Sequence, residues 1–367
     1  MPSADWIDTA RCFPPEAGFF PETGGSGTLG RDRNPGGSKI ASPCAAGGRG
    51  LGWVEPVNNK PPLGMLRGMA CAAAFLALQA SLAAGQPGSG AQVFFDDFSY
   101  ANPEELEAHG WVVRTRTGWP GIENATWKKE DVSFPADPAK PGKRILRMTS
   151  STDGTAAHTA QTQICQQRKF KEGTYAARVH FAFGPASGPA GDGVVESFYT
   201  YSTVDIPKNP NYSECDFEYL PEGGWGQKEP ALFVTTWKTA DLLPDGSQDN
   251  THHVIPGGEG GWHVLVLQVA GGHVRYFLDG RLIADHGDGY YPREIMSLNF
   301  NLWFTREGVA TSRRLRTYEE DIDWVYFEKG AVLSPGQVEQ RVQALRRAGV
   351  PWQDTVETAG LPCPCNS

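Results

Sequence analysis

The chain has 367 residues and a net charge of −9, with 33 Lys and Arg against 42 Asp and Glu. An acidic chain without a basic stripe argues against nucleic acid as the main partner. Hydrophobic residues are 40% of the chain and charged residues 20%, which leaves ample apolar surface for a core. Gly 44 and Pro 28 make up about a fifth of the sequence, well above the usual ~12%, so turns are frequent. The length suits one large all-β domain or two ordinary ones.

Residues 1–64 contain Gly- and Pro-rich stretches without helix or strand periodicity, and the expectation is a disordered or artefactual extension. Met65-Leu66-Arg67-Gly68-Met69 then leads into an apolar run from Ala70 to Ala84, interrupted only by Cys71, Gln79 and Ser81. One Arg, an apolar stretch and small residues at Ser81, Ala83 and Gly85 fit a secretory signal over residues 65–85. The run falls short of the ~20 residues that span a bilayer. Translation starting at Met65 or Met69, export to the extracellular space and no stable membrane anchor are the expectations.

From Gln92 onward short strands alternate with turns. Phe94–Phe98, Arg144–Met148, Gly173–Phe181, Trp262–Val269 and Val274–Leu278 read as strands. Ala270-Gly271-Gly272-His273 and Asp279-Gly280 read as hairpin turns. This pattern predicts an antiparallel sandwich over residues 92–330. The segment 331–367 adds a tail with one clear helix, in which Ser334 caps, Pro335 opens and Gln337 completes a capping box. Four cysteines lie beyond the signal segment: Cys165, Cys215, Cys363 and Cys365. Their spacing defines no disulfide framework.

The chemistry concentrates in Glu214-Cys215-Asp216-Phe217-Glu218. Strand alternation puts the three carboxylates on one face and Cys215 and Phe217 on the other. Like charges on neighbouring positions cost stability. An acidic solvated face or a calcium patch is the bland reading; a glycosidase pair is the sharp one. Retaining hydrolysis needs two carboxyls ~5–5.5 Å apart. Four residues of strand span ~13 Å, so Glu214 and Glu218 meet only on a curved strand, leaning over Asp216.

At these residues the sequence resembles glycoside hydrolase family 16, and within it the lichenase-type β-glucanases. The E-x-D-x-E strand is the family's catalytic signature. The likeness extends in order through Gly193–Tyr201, Arg168-Lys169-Phe170 with Gly173-Thr174-Tyr175, Trp262-His263, Tyr276–Gly280, Asn299–Trp303 and Asp321–Tyr326. It implies a jelly-roll sandwich of two curved antiparallel sheets with a glycan cleft on the concave face. It also implies Glu214 as nucleophile, Asp216 as helper and Glu218 as general acid/base, with a polysaccharide or oligosaccharide as substrate. Asn301, Trp303 and Trp237 are implied to hold sugar, and a monomer is expected. Asp323 matches the position that supplies a structural calcium carboxylate in many relatives; no cofactor is expected in catalysis.

Two departures bear on substrate. Tyr212 stands where lichenases usually have Trp, and Gln163-Ile164-Cys165 replaces a common E-x-R pair on a cleft strand. Tyr212 and Gln163 therefore join the substrate-binding candidates. A transglycosylase of the same fold and a non-catalytic carbohydrate-binding jelly roll remain as alternatives.

Overall fold

The computed structural model describes residue 88 and residues 90–366, except 204–208, 243–247, 258–259 and 307. The expected extension 1–64 and signal segment 65–85 lie outside the described residues. The strands are β1 (Val93–Asp96), β2 (Trp111–Val113), β3 (Thr126–Trp127), β4 (Val132–Ser133), β5 (Leu146–Thr152), β6 (Ala160–Gln166), β7 (Gly173–Phe181) and β8 (Val194–Tyr201). They continue as β9 (Glu214–Leu220), β10 (Ala231–Leu242), β11 (Gln248–Pro256), β12 (Gly261–Ala270), β13 (His273–Leu278) and β14 (Arg281–His286). The last three are β15 (Ser297–Phe304), β16 (Arg316–Lys329) and β17 (Trp352–Asp354). Two helices complete the set, α1 (Pro103–Ala108) and α2 (Pro335–Arg347).

Antiparallel pairing sorts the long strands into two sheets. One runs β2-β6-β15-β8-β9-β10-β11. The other runs β14-β13-β12-β7-β16, with β5 and β1 sharing the far side of the long strand β16. The main core lies between them and holds Phe198, Phe217, Phe300, Tyr175, Leu267 and Phe327. This is the two-sheet antiparallel sandwich that the sequence predicts.

The turns follow the backbone demands of their residues. Gly271 and Gly272 have φ of +60° and +82°, and Asp279 and Gly280 have +49° and +83°. Positive φ at both central positions is the hairpin turn that matches strand twist. The expected capping box of α2 forms, with the Ser334 hydroxyl accepting from the Gln337 amide and the Gln337 side chain accepting from the Ser334 N–H. Val338, Val342 and Leu345 of that helix pack with Val93, Phe95, Trp324 and Tyr326 on the outer face of the β7–β16 sheet. A short helix that the sequence does not announce, α1, is capped by Asn102 and opened by Pro103. Its six residues are too few for a readable periodicity.

Candidate active site

Strand β9 divides its side chains as alternation requires. Cys215, Phe217 and Tyr219 face the core, and Cys215 is a buried free thiol. Glu214 and Glu218 are half-buried on the opposite face, with buried Asp216 between them. Cross-strand partners extend this face. Trp237 lies opposite Glu214, Thr235 opposite Asp216 and Phe233 opposite Glu218. On the other side Tyr201, Tyr199 and Ser197 occupy the same three rows.

The hydrogen bonds give the three carboxyls different surroundings. The Tyr212 hydroxyl donates to Glu214 Oε2. The Trp237 indole N–H donates to Asp216 Oδ2 at 2.8 Å. Asp216 Oδ1 is buried without a hydrogen-bond partner. Among the described residues no lysine or arginine forms an ion pair with any of the three.

Burial raises all three pKa values, because a desolvated carboxylate is unfavourable. For Asp216 the charges of Glu214 and Glu218 add to burial, so it is held protonated well above the usual range. For Glu218 the Glu214 charge adds to burial in the same direction. For Glu214 the Tyr212 hydrogen bond works against burial and favours the carboxylate. Glu214 therefore ionises before Glu218. A neutral Asp216 between them can donate its proton in a hydrogen bond to a neighbouring carboxylate.

The other candidates fall in different places. Gln163 is buried, donates from Nε2 to the Tyr199 hydroxyl at 2.7 Å, and accepts from Arg114 Nη1 at 2.9 Å. Asn301 sits in the row of Gln163, Ser197 and Glu218, with its Oδ1 buried and unpartnered. Trp237 anchors Asp216 as well as lining the floor. Trp303 does not offer an open sugar platform. It is 5% exposed and packed with Trp119, Trp225, Trp127 and Phe233, whereas Trp119 itself is 47% exposed.

The sequence reading missed Arg114, Tyr199 and Tyr201. The Arg114 backbone N–H bonds to Gln163 O, which extends β2 and brings the guanidinium over the Trp127 ring, 3.9 Å from its centroid. A cation thus does reach the floor where Gln163 and Cys165 suggest none, supplied by a different strand. Tyr199 and Tyr201 stack with ring centroids 5.6 Å apart. Their alternation with Phe198 was the available signal.

Asp323 lies at the other sheet and does not suit calcium. Its oxygens accept from Lys140 Nζ at 2.6 Å, Arg178 Nη1 at 2.8 Å and Arg346 Nη2 at 2.7 Å. Burial alone would raise its pKa, but Arg346 and Lys140 override it and bring the group down to about 2. A carboxylate saturated by three cations repels a fourth rather than binding it. Among the described residues the one cluster of three side chains with metal-ligand spacing is Cys165, Cys363 and Cys365.

No family model matches the chain, and no curated protein matches it. Solved structures do. The chain is similar to a Bacillus licheniformis β-glucanase at 16% identity, over 66% of this chain and 99% of that one, with a TM-score of 0.45. It is similar to a lichenase from a mouse hindgut metagenome at 20% identity, over 64% and 98%, with a TM-score of 0.46. A Bacteroides ovatus family 16 endo-glucanase is 16% identical over 63% and 98%, with a TM-score of 0.49. The chain is thus similar to solved glycoside hydrolase family 16 glucanases, at identities and TM-scores that leave its chemistry to be argued from the residues of the site.

Proposed function

We propose that the chain is an exported, retaining endo-β-glycosidase that hydrolyses a β-glucan-type polysaccharide. One observation carries the reading: two half-buried glutamates flank a buried aspartate on one sheet face, burial and their charges raise its pKa, and among the described residues no cation is paired to them. A row of this kind costs stability and has a use when one acid must be ionised and another protonated at the same pH. Tyr212 favours the Glu214 carboxylate, which suits attack on the anomeric carbon. Glu218 keeps its proton to a higher pH and delivers it to the departing glycosidic oxygen. In the second step Glu218, now a carboxylate, takes a proton from water. The resulting hydroxide displaces Glu214 from the sugar and the free enzyme returns.

The test uses azide with an activated β-aryl glucoside. In Glu214→Ala, azide attacks the substrate directly and yields the α-glycosyl azide by one inversion. In Glu218→Ala, the glycosyl-enzyme forms and azide displaces it, giving the β-glycosyl azide by two inversions. Exchanged products would reverse the roles, and full activity in both variants would end the glycosidase reading. Export rests on the apolar stretch after Arg67. N-terminal sequencing of the secreted protein tests it, with a mature start among residues 81–90 expected.

A further inference from the structure

Cys165 shares the β6 face of Gln163, the face that lines the candidate cleft. The cross-strand row through it reads Val112, Cys165, Asn299, Tyr199, Asp216. Three strand spacings therefore separate Cys165 from Asp216, or ~14 Å along the floor. On the opposite side of Asp216 the sheet ends in β11, where His252 and His253 are exposed.

The C-terminal segment comes back over the Cys165 end. Leu361 bridges to Arg168, and the Thr358 hydroxyl donates to Gln167 Oε1 at 2.9 Å. The Cys365 N–H points to Cys165 Sγ at 3.3 Å. Asn366 Oδ1 accepts from the Thr115 and Arg116 amides at 3.0 Å each, and its Nδ2 donates to Val113 O at 3.1 Å. The three sulfurs of Cys165, Cys363 and Cys365 lie within 4.8 Å of one another, and Cys165 is placed to bond to either tail cysteine. One sulfur makes one disulfide, so each arrangement leaves the other tail cysteine as a thiol beside it. That thiol, as thiolate, can attack the Cys165 sulfur and displace its partner as a new thiolate, with no net oxidation.

We propose that residues 361–366, bonded to Cys165, form a wall across the β2–β6 end of the cleft and set how far a glycan extends on that side. The proposal rests on the glycosidase reading of the cleft. A dithiol releases the wall: it transfers two electrons and two protons to the bond, leaving two cysteine thiols and the oxidised, cyclic disulfide of the reagent. Two alternative partners for Cys165 mean that loss of either tail cysteine leaves the wall attached. Loss of both, or of Cys165, detaches it.

Disulfide mapping of the native protein by mass spectrometry should find Cys165 bonded to Cys363 or Cys365. Cys363→Ser and Cys365→Ser should each retain a bond to Cys165. Product lengths from a β-glucan, and rates on oligosaccharides of graded length, should then be compared between the native protein, a dithiothreitol-treated sample, Cys165→Ser and the Cys363→Ser/Cys365→Ser pair. The detached forms should gain several-fold in rate on long oligosaccharides and shift their product lengths, with turnover of a short aryl β-glucoside unchanged. Unchanged product lengths and long-substrate rates in detached forms would overturn the wall. So would three free thiols in the native protein, or a zinc or copper ion that stays with them through gel filtration. If no form turns over the short glucoside, the glycosidase reading fails separately. The wall is then judged by oligosaccharide affinity, and equal affinities in attached and detached forms overturn it.

Discussion

Two groups of buried acid sit on the two sheets and are treated in opposite ways. On one, Asp323 is enclosed by Lys140, Arg178 and Arg346, and its pKa falls to about 2. On the other, Glu214, Asp216 and Glu218 stand in a row with a phenol and an indole for company, and all three pKa values rise. The first arrangement is what folding alone favours, since a buried charge demands a partner. The second withholds the partners. Burial then raises the pKa of each acid, and such a row costs stability.

The largest effect that probes this contrast comes from removing the acid. Glu218→Gln should lower kcat by on the order of 10²–10⁴ on unactivated glucan and leave the melting temperature equal or higher, because one member of the repelling row is gone. A fall in both activity and stability would mean that Glu218 is structural after all. Asp323→Ala should do the reverse. It strands three cations and should cost roughly 2 kcal/mol, less than the ~3–5 kcal/mol of a fully buried pair because Lys140 and Arg178 reach solvent. Aryl glucoside turnover should hold below the melting transition. The pH dependence has a fixed sign. A folded-state pKa below the unfolded one contributes stability above the unfolded value, near 4, and that contribution is lost as pH falls toward about 2. Acid unfolding of the wild type and the variant should therefore converge at low pH.

Tyr212→Phe is a finer probe. It removes the donor that favours the Glu214 carboxylate, so the acidic limb of kcat/KM should move up by roughly one pH unit. The alkaline limb, set by Glu218, should move less. A limb that stays in place would show that the phenol does not tune the nucleophile. A smaller effect concerns Glu320, buried in the sandwich near Glu196 and raised well above the usual carboxylate range by burial first and the Glu196 charge second. A raised folded pKa contributes stability below the unfolded value and loses it as pH rises. Glu320→Gln should therefore stabilise at pH 8 by about 1 kcal/mol, or ~2–4 °C for a domain of this size, and by less at pH 5. Differential scanning fluorimetry at both values decides it. Finally, chelation with EDTA should leave the melting curve unchanged, since the acid expected to hold calcium is already occupied by cations.

Local pattern made much of this legible. The strand Gly173–Phe181 has the bounds that its alternation suggests, the two Gly-bearing hairpins fall where their dipeptides stand, and β9 sorts its faces by simple alternation. What escaped was nonlocal. The stretch from Asp241 to Gly261 looks like a long loop, yet Gln248–Pro256 is a strand paired along β10. Its Asp, Asn and His residues hide it, and backbone pairing to its neighbour makes it. Arg114 was missed because its place on the floor depends on where β2 docks against Gln163, which no short window contains. The tail cysteines escaped for the same reason. Cys165 lies 198 and 200 residues before them, and spacing cannot choose among such partners.

Strand β1 lies between β16 on one side and β17 on the other, so Phe95 faces Tyr326 and Gln353. The first strand of the sandwich is thus held by its last two. A growing chain emerging from the ribosome cannot seat Val93–Asp96 on β16 until more than 220 later residues have been made, or on β17 until more than 250 have. Until then β1 offers unpaired backbone and the buried faces of Phe94 and Phe95 to its surroundings. The closing step joins segments far apart in sequence, which is the slow kind of contact to form. The sheet therefore stays open at β1 until β16 and β17 have been made, and a chain released before them would expose an adhesive edge.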